Sequence, residues 1–399
     1  METSFFKILP PLLRGCTFDG EKGSVVVSFD VKGGLQKNTE KSADQVLSLP
    51  ELELPKDAEK VISLYDEWKR KYNRHPSVAT FGDSEIFGIG NTYDQAVQRV
   101  NSFKASEILS PDISNSSAKT TYSRNQVVDG KICVVTGGAQ GFGAEITKNL
   151  VSMGALVFVA DLNIEGADSF CRGLNKEYDK TAALPVNVDV SSEDSVRAMI
   201  GEIVEKAGGI DLFISNAGVL KAGSVKEITL KDFSFVTMVN YAGFFICTKH
   251  ASQVMAWQNR VRKNYFTDII QINSKSGLQG SNKNGAYAGG KFGGIGLVQS
   301  FAMELVADNI KVNAVCPGNF FEGPLWSDPV KGLFVQYLNA GKVPGAETID
   351  DVRDFYEKKV PMGRGCNGRD VAKAIYYIIE QKYETGQAVP VTGGQVMLK

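Results

Sequence analysis

Residues 131–143 read K-I-C-V-V-T-G-G-A-Q-G-F-G, and the chain continues A-E-I-T-K-N-L-V-S-M. The first five residues are a short buried-strand pattern, and the ten after the glycines carry helical spacing. Glycines at 137, 138, 141 and 143 occupy the turn between them. Such a turn lets backbone N–H groups approach an anion, and the helix start adds its dipole and unpaired donors. Strand, glycine turn and helix in that order imply a dinucleotide cradle of Gly137, Gly138, Gln140, Gly141, Phe142 and Gly143. Glycines alone would imply only a turn.

The same alternation continues outward. Strands are expected at 131–135, at L-V-F-V-A, and near 182–188, 211–215, 268–273, 310–315 and 387–392, with helical patterns between them. Seven strands joined through helices predict an α/β fold with a doubly wound, Rossmann-type parallel sheet. Asp161 ends the second strand, 18 residues beyond Gly143, and Leu162 follows it. A carboxylate there accepts hydrogen bonds from ribose hydroxyls and repels a 2'-phosphate, so NAD is expected rather than NADP. The competing reading makes Asp161 a helix cap before Asn163.

Upstream the texture differs. Residues 25–30 read as a strand, 58–72 as a helix, 78–90 as a strand followed by F-G-I-G, and 92–109 as a helix. Ser110–Gln126 is rich in Ser, Thr and Asn, with little to bury. The expected organisation is a small α+β domain over 1–110, a linker over 111–127 and the nucleotide-binding domain over 128–399.

Composition excludes several classes. At 399 residues the chain exceeds what one core usually holds, and 43% apolar with 22% charged residues is ordinary globular usage. A net charge of -1 gives no global electrostatic reason to bind nucleic acid or an anionic membrane. The apolar run at 8–13 is broken by Pro10 and Pro11, and no stretch approaches a bilayer span. Six scattered cysteines without a C-x-x-C pair suit a reducing cytoplasm, and two histidines offer no metal cluster.

Tyr287 and Lys291 are four residues apart, on one helix face, and Ser274 lies 13 residues before Tyr287 at the end of the strand D-I-I-Q-I-N. Tyr65 and Lys69 share the spacing but lack a glycine turn upstream, so spacing alone does not choose between them. Oxidising an alcohol by hydride transfer requires a base within reach of the hydroxyl proton. Bringing a tyrosine from its usual pKa of about 10 to near 7 takes roughly 4 kcal/mol, which nearby positive charge can supply. Tyr287 is thus the candidate acid/base, Lys291 its cation, and Ser274 the hydrogen-bond partner of the substrate oxygen.

With these motifs in place, residues 131–399 resemble the short-chain dehydrogenase/reductase family. The resemblance implies a fourth catalytic residue, Asn240 in V-N-Y-A-G-F-F, and cofactor contacts from Asn216, Ala217 and Gly218 (N-A-G), from Asp189 and Val190 on the adenine side, and from Pro317 and Gly318. Two departures stand out. R-V-R-K-N-Y-F-T-D lengthens the interval from Asn240 to Ser274, leaving the role of Asn240 open, and N-F-F-E replaces the threonine commonly found after P-G. The resemblance also implies a homodimer or homotetramer formed through the helices after Leu230 and Gly285.

I-N-S-K-S-G at 272–277, Y-A-G-G-K-F-G-G-I-G at 287–296, P-M-G-R-G-C at 361–366 and V-T-G-G-Q-V-M at 391–397 are similar to the sorbitol-6-phosphate 2-dehydrogenases within that family. This implies interconversion of D-sorbitol 6-phosphate and D-fructose 6-phosphate. Lys275, Lys283 and Arg364 are candidate phosphate contacts, Lys221 a further basic residue beside N-A-G, and Asn319, Phe320 and Trp326 candidate pocket residues. The competing reading makes the basic residues solvated surface charges and the aromatics core. Other readings are another polyol, sugar, hydroxyaldehyde or thioester substrate, or an NAD-binding scaffold without turnover. Residues 55–110 resemble the end of class II sugar-phosphate aldolase domains. Such domains use a histidine cluster, and this segment holds only His75, so a remnant without aldolase activity is expected.

Overall fold

The computed structural model describes residues 6–31, 44–105, 127–330, 332–339, 341 and 343–397. Seven strands form one parallel sheet: β5 (Ile132–Thr136), β6 (Leu156–Asp161), β7 (Ala183–Asn187), β8 (Leu212–Ser215), β9 (Thr267–Ile272), β10 (Ile310–Pro317) and β11 (Ala388–Val391). Their order is β11-β10-β9-β8-β5-β6-β7. Strand order reverses between β5 and β8, which opens a crevice at their carboxyl ends, the place where such sheets bind ligands. The inner strands β5, β6 and β8 are buried along their whole length, and their sequences are near-continuous apolar runs rather than alternating ones, whereas the outer strands β7 and β11 are partly exposed.

The N-terminal part is a second, four-stranded sheet of order β1-β4-β3-β2, built from β1 (Val25–Asp30), β2 (Val46–Leu49), β3 (Val78–Phe81) and β4 (Glu85–Gly90). Helices α2 (Ala58–Tyr72) and α3 (Tyr93–Lys104) accompany it. The F-G-I-G glycines are explained by α3, since a Cβ on Gly88 would lie 2.1 Å from the carbonyl oxygen of Ala96. Helix α2 follows its expected bounds, whereas β2 was hidden in a polar stretch and gains order from parallel pairing with β3. The expected linker falls almost wholly outside the described residues.

A further helix, α1 (Leu9–Thr17), forms where prolines interrupted the apolar run. Pro10 and Pro11 sit in its first turn, where no backbone N–H is needed for the helix ladder. Every residue of α1 is buried. It packs on α8 (Gly243–Asn259) of the seven-stranded part, and Leu12, Leu13, Val26 and Tyr65 join Val204, Phe213 and Val254 in one continuous apolar cluster. Two sheets therefore share one core.

Polar contacts reinforce the joint. The buried Arg14 guanidinium donates to the Asp211 carboxylate at 2.5 Å and to the carbonyls of Gly23 and Ser24. Asp211 also accepts from the N–H of Ile132 at 2.7 Å, the hydroxyl of Tyr265 at 2.5 Å and the amide of Gln258 at 3.0 Å. Burial alone would raise the Asp211 carboxyl; the charges of Arg14 and Lys131 and these donors outweigh it and hold the group below its ordinary range. The R-V-R-K-N-Y-F-T-D insertion supplies the other side of this joint. Arg260 pairs with Glu59 at 3.0 Å, Arg262 with Asp66 at 2.6 Å, and Tyr265 stacks on Phe18 with centroids 4.1 Å apart.

Arg14→Ala should lower stability in urea unfolding by about 3–5 kcal/mol at pH 7, the cost of stranding a buried carboxylate. Because the Asp211 carboxyl is held low, its contribution is full above the unfolded value of about 3.9 and fades as pH falls through the folded value. The gap between wild type and variant should therefore narrow below about pH 4. A gap under about 1 kcal/mol at pH 7 would show that the pair does not hold the two sheets together.

Candidate active site

The glycine turn has the backbone that its residues permit. Gly137 and Gly141 have φ of 61° and 56°, and a Cβ on Gly143 would lie 1.9 Å from the carbonyl oxygen of Gly137. Helix α4 (Gly141–Ser152) begins here with no side-chain cap from Gln140, leaving first-turn N–H groups for an anion. The turn is braced by the N-A-G segment. Asn216 donates its amide to the carbonyls of Thr136 at 2.9 Å and Gly137 at 3.1 Å, while the Thr136 hydroxyl accepts the N–H groups of Asn216 and Ala217. The bracing role of Thr136 was not apparent from the sequence, where a threonine ending a strand carries no signal of its own.

Asp161 accepts from the N–H of Ala139 at 3.1 Å and of Asn163 at 3.0 Å, so it links the glycine turn to the end of β6. The cap of α5 (Ile164–Tyr178) is Asn163, whose side chain accepts from Gly166, which removes the capping reading of Asp161. Leu162 beside it is 70% exposed. Asp189 and Val190 lie just past β7 rather than inside it; the Asp189 carboxylate accepts from the Ser191 N–H and hydroxyl, and Val190 packs against Gly243. Pro317 ends β10, and Gly318 donates to the carbonyl of Val391 at 2.9 Å. A cradle with positive-φ glycines, an uncapped helix start and a strand-end carboxylate fits a dinucleotide.

Ser274 follows β9, and α9 (Gly285–Leu305) carries Tyr287 and Lys291. The Ser274 hydroxyl is near enough to the Tyr287 phenol to favour its ionised form, and accepts the N–H of Ser276 at 3.1 Å. The Lys291 ammonium donates to the carbonyl of Ile272 at 2.8 Å and lies 5.6 Å from the centre of the Tyr287 ring. Burial pushes the Tyr287 phenol up and the nearby Ser274 hydroxyl opposes it; burial pushes Lys291 down to about 8, still a cation at neutral pH. Tyr65 instead bonds His75 at 2.7 Å and is fully buried, so the second Tyr/Lys pair belongs to the fold.

Asn240 sits in a π-helical turn, Met238–Ala242, between α7 (Leu230–Thr237) and α8. Its amide makes paired bonds at 2.8 Å with the N–H and carbonyl of Val219, three residues past Asn216. The insertion that clouded its role lies between α8 and the start of β9, at the opposite end of the sheet from Ser274, and leaves Asn240 beside the crevice.

The basic candidates separate. Arg364 pairs with Asp370 through both nitrogens, at 2.6 and 3.0 Å, and donates to the carbonyl of Gly365, so its guanidinium is engaged within the chain. Lys283 is exposed at φ 56°, and its carbonyl accepts from Gly223. Lys275 is half-buried directly after Ser274; burial and the charge of Lys359 hold its ammonium below the usual range. Lys359 gave no sequence signal. The carbonyl of Asn319 accepts from Cys366, Phe320 stacks on Phe142 of the glycine turn at 4.5 Å, and Trp326 is core, packed with Phe321, Phe334 and Tyr356. A cavity of about 420 Å³ separates 360–366 from 390–396, and none of Ser274, Tyr287 or Lys291 lines it.

Among the described residues no group of three or more His, Cys, Asp or Glu is placed to hold a metal, and no helix is long and apolar enough to cross a membrane. All six cysteines are free and buried.

Residues 131–325 match the short chain dehydrogenase family. Sorbitol-6-phosphate 2-dehydrogenase of Escherichia coli (strain K12) is 36% identical over 270 residues, covering 67% of this chain and 99% of that protein. The chain belongs to the short-chain dehydrogenase family. A crystal structure of sorbitol-6-phosphate 2-dehydrogenase from Erwinia amylovora superimposes with a TM-score of 0.61 at 37% identity, covering 67% of this chain and all of that one. An actinorhodin polyketide ketoreductase solved with NADPH superimposes with a TM-score of 0.58 at 26% identity, covering 69% and 99% of the two chains. The protein is an oxidoreductase acting on CH–OH groups, in a family that binds nicotinamide cofactors.

Gly143→Ala should weaken NADH binding more than about tenfold in fluorescence titration, since the added carbon must displace backbone rather than a flexible side chain. Unchanged binding by the folded variant would show that the turn is not the cradle.

Proposed function

We propose that the protein oxidises D-sorbitol 6-phosphate to D-fructose 6-phosphate with NAD, and catalyses the reverse. The observation that carries the reading is the meeting of Ser274, just past β9, with Tyr287 and the buried, cationic Lys291 of α9, whose ammonium is tied to the carbonyl of Ile272 at the strand end. The similarity to sorbitol-6-phosphate 2-dehydrogenases over nearly their whole length supports the substrate. NAD is favoured because Asp161 is followed by L-N-I-E-G-A, without a cation to receive a 2'-phosphate.

In this reading Ser274 holds the C2 hydroxyl and Tyr287 takes its proton as the hydrogen on C2 departs. A bound nicotinamide supplies the hydride acceptor and a positive charge beside the phenol. Tyr287 needs that charge, because burial opposes the phenolate in the protein alone. Lys291 holds its proton near neutral pH at the carboxyl end of β9, where it can receive a nicotinamide ribose. Asn240 keeps the Val219 segment fixed beneath them.

The phosphate is assigned to Lys275, with Lys359 nearby, rather than to Arg364, whose charge is matched by Asp370. Among the described residues neither lysine has a carboxylate within salt-bridge distance, so an incoming dianion would relieve their mutual repulsion. We further propose a cytoplasmic homodimer or homotetramer, for which α7, α8 and α9 present Leu230, Phe233, Phe245, Phe292 and Met303 to solvent.

NADH formation followed by absorbance should be fastest with D-sorbitol 6-phosphate among polyols and polyol phosphates. Tyr287→Phe should lower kcat by a factor on the order of 1,000 without loss of NADH binding. Lys275→Ala should raise KM for the phosphorylated substrate about tenfold and leave that for D-sorbitol unchanged. Preference for an unphosphorylated polyol or a thioester would overturn the substrate reading, and no turnover on any member of the panel with NAD bound would favour a scaffold.

A further inference from the structure

The layer between β9 and α9 is polar where sheet and helix ordinarily meet through apolar side chains. Gln271 and Asn273 lie two residues apart, hence on one face, and are 2% and 4% exposed. Helix α9 comes close enough there that a Cβ on Gly294 would lie 2.6 Å from the Gln271 amide. Asn273 uses its whole side chain. Its amide nitrogen donates to Gln271 Oε1 at 2.7 Å and to the carbonyl of Lys291 at 2.9 Å, and its Oδ1 accepts the N–H of Ser274 at 2.8 Å.

Lys291 is consequently held at both ends by consecutive residues. Its backbone carbonyl receives Asn273, and its ammonium donates to the carbonyl of Ile272 at 2.8 Å. Ser274 hangs from the same Asn273 through its N–H. A buried amide costs desolvation energy unless every bond is made, so an apolar residue would serve packing at less cost. What the amide adds is a fixed distance between strand end and helix.

We infer that Asn273 is a positioning residue that sets the separation of Ser274 from the helix carrying Tyr287 and Lys291, and thereby the ease with which Tyr287 gives up its proton. This rests on reading those three residues as the proton-transfer set. With Asn273→Ala, Ser274 N–H and Gln271 Oε1 lose their partners in a dry layer, and the strand end is free to shift against α9. Asn273→Asp keeps the acceptor for Ser274 and loses both donated bonds, at nearly the same volume.

The test is a phenolate titration by ultraviolet difference spectroscopy of the NAD-bound protein, with Tyr287→Phe subtracted to isolate one phenol. In Asn273→Ala the Tyr287 titration should move upward by about one pH unit or more. The rising limb of the kcat–pH profile for polyol oxidation should move with it, and kcat at pH 7 should fall at least about tenfold. If Asn273→Ala does not fold, Asn273→Asp is expected to shift the titration in the same direction. A Tyr287 titration that superimposes on wild type in a folded variant overturns the inference, whether or not kcat falls, because a merely structural residue would give that result. Since the titration needs no substrate, inactivity of the wild type on D-sorbitol 6-phosphate would count against the proposed substrate and leave this test standing.

Discussion

Strands β5 and β8 are pinned to each other at both ends, and the crevice depends on it. At the floor, the Asp211 carboxylate just before β8 takes the N–H of Ile132 at the start of β5. At the top, the Thr136 hydroxyl ending β5 takes the N–H groups of Asn216 and Ala217 just after β8, and Asn216 returns its amide to the glycine turn. A carboxylate buried at the floor would cost several kcal/mol alone. Arg14, Tyr265 and Gln258 make it tolerable, and Arg14 comes from 197 residues away. The N-terminal helix is thus part of what holds the nucleotide-binding sheet in register.

This gives the insertion before β9 a purpose in the fold. It is long because it reaches the N-terminal part, with Arg260, Arg262 and Tyr265 contacting Glu59, Asp66 and Phe18. Docking occupies the amino ends of the strands, and chemistry the carboxyl ends. The two parts can therefore share an apolar core without the N-terminal sheet entering the crevice.

What was legible in the sequence was local. Seven strands could be placed to within a residue or two because each is a short apolar run bounded by helical periodicity, and the glycine turn because its strand and helix adjoin it. Ser274, Tyr287 and Lys291 could be proposed as one set once strand-end position was added to spacing, which set aside Tyr65 and Lys69. Long-range contacts were not legible. Pro10 and Pro11 looked like breaks although they begin a helix. Arg364 looked available until Asp370, six residues on, was seen to hold it, and Asn273 resembled any polar residue at a strand end. Trp326 could not be assigned to pocket or core before its aromatic neighbours, up to 30 residues away, were in place.

The central claim is direct transfer of hydrogen from C2 of a polyol phosphate under proton abstraction by Tyr287. It is tested most directly by turning over D-sorbitol 6-phosphate deuterated at C2 and determining the mass of the NADH formed. The account predicts NADH carrying the deuterium, with none formed by Tyr287→Phe on the same timescale. NADH without the label, or labelled NADH at an undiminished rate from Tyr287→Phe, would contradict it.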